Sequence, residues 1–89
     1  MNDFDFFVVV ATSTSKRKLE QVVGSQLPNL YPKREKNGRF FKNYYQHSLK
    51  FFEVHKCGHA EARMKANEYL DTLPKIDGVR YQVKFYCVD

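Results

Sequence analysis

The chain has 89 residues, 43% of them hydrophobic and 16% aromatic, and a formal charge of +5. That length supports one small core, so a single domain over residues 1–89 is expected. The aromatic content excludes a disordered chain, two cysteines are too few for a disulfide scaffold, and no apolar run reaches the length of a membrane span.

Phe4 to Ala11 is an apolar run dense in aromatic and β-branched residues, which predicts a central strand buried on both faces. The hydroxyl run Thr12 to Ser15 suits a loop and a helix N-cap. From Ser15 to about Gln26, the spacing of Leu19, Val22, Val23 and Leu27 marks one buried helix face; Gly24 weakens this helix and Pro28 is expected to stop it. Asn29 to Lys36 reads as a short edge strand, where Pro32 is tolerated. Asn37-Gly38 is a strong hairpin signal. Arg39 to Gln46 then returns as a strand, His47-Ser48 turns the chain, and Leu49 to Lys56 forms the next strand.

Gly58-His59 opens a second helix with Ala62, Ala66, Tyr69, Leu70 and Leu73 on its buried stripe and Glu61 to Lys65 as an i,i+4 pair; Pro74 ends it. After the Asp77-Gly78 turn, Val79 to Val88 alternates. Val79, Tyr81, Val83, Phe85 and Cys87 share one face, and Arg80, Gln82, Lys84, Tyr86 and Val88 the other. The expected fold is α+β: a two-layer sandwich with an antiparallel sheet of four or five strands and two helices on one face, most simply the ferredoxin-like βαββαβ plan.

The stretch Tyr31 to Tyr45 carries the strongest chemical signal. Lys33, Arg34, Lys36, Arg39 and Lys42 are interleaved with Tyr31, Phe40, Phe41, Tyr44 and Tyr45. Cations attract a phosphate backbone and flat rings stack on bases, so this hairpin points to a nucleic-acid surface. Alternation leaves Arg80, Lys84, Gln82 and Tyr86 on the open sheet face. The hairpin adds either the Phe40, Lys42, Tyr44 row or the Phe41, Asn43, Tyr45 row, so either Tyr44 or Tyr45 is the stacking ring. Lys16, Arg17 and Lys18 oppose the dipole of the first helix turn, and with the neighbouring hydroxyls they would extend a phosphate track.

The other chemistries are weaker. His55, Cys57, His59 and Cys87 lack the spacing of a zinc site, and no metal or cofactor is expected. A Cys57–Cys87 bridge stays open. No P-loop, dinucleotide loop or nucleophile elbow is present. The leading expectation is a non-enzymatic RNA-binding protein in a reducing cytoplasm, with no secretory segment and no membrane partner. DNA stays open as the polyanion, as do monomer and homodimer. One alternative is a protein–protein module gripping an acidic partner. Another is a small ribonuclease using His47, His55 or His59.

Two family resemblances accompany these residues. The element order and the segment Leu49 to Leu73 resemble the second half of an RNA-recognition motif, although LKFFEVHK lacks that family's glycine and carries Glu53. Residues 15 to 73, with KCGHAEARMKANEYLDTL leading into the second helix, resemble a double-stranded-RNA-binding domain, although Glu61 stands among its expected lysines. Both resemblances imply RNA as the partner. In size and charge the chain is also similar to small basic phage accessory proteins, some of which act as antitoxin-like inhibitors of host ribonucleases; this implies an acidic host protein as a second partner.

Overall fold

The computed structural model describes residues 5–87; the side chains of Asn37, Phe40, Phe41 and Lys56 lie outside the description, as do Phe4 and Val88 of the expected strands. Strand β1 (Phe6–Ser13) forms where the β-branched run lies, and Val8, Val9, Val10 and Ala11 are all buried. Helix α1 (Lys16–Val23) buries Leu19. It ends at Gly24, whose N–H donates to the Glu20 carbonyl at 2.8 Å, so the glycine cap and not Pro28 stops it. Strands β2 (Lys33–Asn37) and β3 (Phe40–Glu53) form the hairpin. A single turn, α2 (Val54–Cys57), leads through Gly58 into α3 (His59–Thr72), and β4 (Val79–Tyr86) closes the order.

The four described strands lie in the order β2-β3-β1-β4, and every neighbouring pair is antiparallel. Alternation from β1 separates the two sheet faces. On the covered face, Phe7 and Val9 pack with Ala62 and Ala66 of α3 and with Val54, flanked by Phe52, Tyr69, Leu70, Leu73 and Val83. Two alanines at i and i+4 let α3 approach the sheet closely, which is the expected buried stripe. The Lys50 ammonium lies 5.5 Å from the Phe52 ring and 5.3 Å from the Tyr69 ring. The solvent-side pair Glu61–Lys65 forms at 3.7 Å.

The hairpin departs from expectation in two places. Asn37 pairs with Phe40, so the two-residue loop is Gly38-Arg39 and not Asn37-Gly38. Gly38 takes φ 64° and Arg39 does not, the pattern of a type II′ turn with glycine first. The expected turn at His47-Ser48 is absent: His47 pairs with Ala11 and Ser48 with Val10, inside one continuous 14-residue strand. Neither residue supplies the backbone freedom of a tight turn, and β1 offers an uninterrupted partner beside them. The sheet therefore has four described strands and not five. Leu49 to Lys56 is likewise not a separate strand, because the ladder stops at Glu53 and the α2 turn follows.

In place of the turn, β3 carries a bulge. Val9 pairs with Lys50 but Val10 pairs with Ser48, leaving Leu49 as an extra residue. Leu49 packs against the core and Lys50 reaches Tyr69 of α3, so both lie on the covered face.

Candidate nucleic-acid interface

The bulge decides which side of β3 faces the open surface. Phe51 opposes Val8 on the open face. Strict alternation backwards from Phe51 would put Leu49, His47 and Tyr45 on that side. The extra residue inverts the parity, so Ser48, Gln46, Tyr44 and Lys42 take it instead. The register left undecided by the sequence is therefore fixed: Tyr44 lies on the open face, and Tyr45, which opposes Ser13, lies on the covered one.

Lys42, Tyr44 and Gln46 line a trough of about 760 Å³ on the open face. Its walls include Thr12 of β1, Lys42, Tyr44 and Gln46 of β3, and Arg80 and Lys84 of β4, with Glu35 contributing a lone carboxylate. No helical residue lines it. Gln46 is its hub. The Gln46 side-chain oxygen accepts from the Lys33 ammonium at 3.2 Å and from the Lys84 ammonium at 3.4 Å, while its amide nitrogen donates to the Thr12 hydroxyl at 3.3 Å. Two cations from opposite sides of the sheet thus share one neutral acceptor, and no positive charge is cancelled there.

Lys84 starts opposite Val8 and ends at Gln46, which opposes Thr12. Its methylene chain therefore crosses β1 between those positions. That chain contributes to the burial of Val8 and Val10, which are only 1% and 2% exposed.

The Phe6 end of the same face is aromatic. Phe6 stacks on Tyr86 with centroids 5.3 Å apart and meets Phe51 edge-on at 5.4 Å. Phe51 is 56% exposed and Tyr86 44%. The open face thus runs from ringed to cationic over the length of β1, about 25 Å at the usual rise per residue.

The candidate residues divide between several places. Lys33, Lys42, Tyr44, Arg80 and Lys84 meet on the open face. Alternation from Lys33 sends Arg34 and Lys36 to the opposite side, and Arg39 sits in the hairpin turn. Lys16, Arg17 and Lys18 are on α1 and do not line the trough; the Lys18 ammonium donates to the Asp77 carbonyl at 2.7 Å, tying α1 to the turn before β4 at the rim residue Gly78. Sequence reasoning missed Gln46, Phe6 and Phe51. A polar residue directly after Tyr44-Tyr45 gives no local signal of a hub.

The histidines and cysteines have separate surroundings. His55 lies 3.6 Å from Glu53, and His59 lies 3.9 Å from the buried Asp5 and packs against the Phe7 and Phe85 rings. His47 opposes Ala11 on the covered side. Neither cysteine is in a disulfide, and among the described residues no three His, Cys, Asp or Glu side chains cluster as a metal site. No described helix is long and apolar enough to cross a membrane. Burial, and secondarily Tyr69, raises the phenol of Tyr81, whose hydroxyl donates to the Pro74 carbonyl at 2.6 Å.

Comparison of the chain with protein-family models, with curated proteins and with solved structures gives no match.

Proposed function

We propose that this chain is a non-enzymatic single-stranded-RNA-binding protein on a ferredoxin-like βαββαβ frame. The strand order β2-β3-β1-β4 with antiparallel neighbours supports that frame, and the resemblance to RNA-recognition motifs accords with it. The observation that carries the functional reading is the meeting of Lys33, Lys42, Arg80 and Lys84 with Tyr44 on one helix-free face. Phosphates would sit in the trough, where the cations outnumber the carboxylate. Bases would stack on Tyr44 and on the Phe51–Tyr86 end, where ring stacking contributes about 1–3 kcal/mol per base. Tyr45, Arg34 and Lys36 have no direct part in this reading.

The test is the salt dependence of binding to a labelled single-stranded RNA. A Lys42→Ala, Arg80→Ala, Lys84→Ala variant should lower the magnitude of the log K against log salt slope by about 2, given ~0.7 per neutralised phosphate on single strands. An unchanged slope would reject the trough as the phosphate site.

A further inference from the structure

The sheet has two outer edges, and they differ. The β2 edge is five residues long, four of its first residues are charged (Lys33, Arg34, Glu35, Lys36), and Pro32 precedes it. Short length, charge and proline are the usual defences against strand addition. The β4 edge has none of these in combination. It runs eight residues, VRYQVKFY, with no proline or glycine, and keeps an unbroken register with β1 from Phe6↔Tyr86 to Ser13↔Val79. Among the described residues no strand covers its outer side.

We infer that β4 pairs with β4 of a second copy, antiparallel, about a two-fold axis at Val83. The argument is charge complementarity. In a continuous sheet, open-face residues must oppose open-face residues, so only registers that centre on a residue are allowed. An axis at Gln82 sets Arg80 against Lys84 of the second copy, twice. An axis at Lys84 sets two lysines against each other. Like charges directly opposed are destabilising. The axis at Val83 sets Arg80 against Tyr86, a cation over a ring, and Lys84 against the Gln82 amide; on the other face Tyr81 meets Phe85. Tyr86 and Phe85, 44% and 41% exposed in the single chain, both lose solvent in this arrangement.

Because the β2 edge is defended, each copy offers one open edge and the assembly closes at two. The product is an eight-stranded sheet whose two open faces adjoin across the axis. The pairing does not depend on the RNA reading. It is therefore measured on nuclease-treated protein free of nucleic acid.

The test is sedimentation equilibrium of the full chain over a wide concentration range, with two variants at the exposed Gln82. Gln82→Lys opposes Lys84 of the second copy with a like charge and should weaken association roughly fivefold, two such pairs acting per dimer. Gln82→Glu opposes it with a carboxylate and should tighten association by a similar factor. Circular dichroism checks that both variants retain the monomer fold. A chain that stays monomeric at millimolar concentration overturns the inference. So does a dimer whose Kd the two variants leave unchanged or shift in the same direction.

Discussion

Gln46 shows how one uncharged side chain organises a cationic surface. Its oxygen holds the ammonium groups of Lys33 and Lys84, and its nitrogen is fixed by Thr12. Hydrogen bonds of this kind are worth about 0.5–1.5 kcal/mol net, less where water competes. A carboxylate at the same position would bond both ammoniums more strongly and would cancel their field. Gln46→Glu is therefore expected to change stability and binding in opposite directions. Unfolding in urea should show a gain of about 0.5–1 kcal/mol, discounted for exposure. RNA affinity at the same salt should fall roughly tenfold, because one charge is reversed at the centre of the trough. If affinity and stability fall together, Gln46 is a packing residue and not an organiser of the cations. Tyr44 shares the open face with Gln46 because the bulge at Leu49 sets the parity of this part of β3.

At the level of elements, the hydrophobic pattern carried most of the legible information. The buried runs of β1 and α3 follow directly from FFVVVA and from the Ala62, Ala66, Leu70 spacing, because period and burial are both local properties of sequence. The open-face set Arg80, Gln82, Lys84 and Tyr86 was legible for the same reason, since β4 alternates without interruption. The hairpin was not. His47-Ser48 resembles a turn in isolation and lies in a ladder only because β1 supplies partners. The choice between Tyr44 and Tyr45 rests on one extra residue at Leu49, a tertiary feature with no sequence mark. The junction between α3 and β4 gives an element-scale prediction. Tyr81 on β4 donates to Pro74, just beyond the end of α3, and its phenol is raised by burial and by Tyr69. Below the ordinary tyrosine value of about 10, the folded and unfolded states both keep the proton, and the tie is intact. Above it the unfolded chain gives up the proton first, so the stability contributed by Tyr81 is lost as pH rises through the folded value. Tyr81→Phe should lower stability by about 0.5–1 kcal/mol at neutral pH and flatten the decline above pH ~10. Thermal unfolding of both proteins between neutral and alkaline pH measures this; parallel curves would remove Tyr81 from the junction.

For the whole molecule, the distribution of charge matters more than its total of +5. Lys16, Arg17, Arg34 and Lys36 belong to α1 and to the other side of β2, so the positive charge is not confined to one face. If attraction alone governed binding, any dense polyanion would serve, and a duplex with its closely spaced phosphates would serve best. The open face argues otherwise. Its cations line a trough between β2 and β4, and no helical residue lines that trough to enter a groove. A flexible single strand can bend into the trough and splay its bases onto Tyr44, Phe51 and Tyr86, while a duplex keeps its bases stacked internally and offers those rings nothing. Single-stranded RNA should therefore bind roughly tenfold or more tightly than a duplex of equal length, the difference corresponding to one or two stacked bases. Competition of both against one labelled single strand at fixed salt measures the ratio. A Phe51→Ala, Tyr86→Ala variant should narrow the ratio by weakening only the single strand. Equal affinity for the two forms would move the binding surface off the sheet and onto the scattered cations of α1 and β2, with the rings left to some other role.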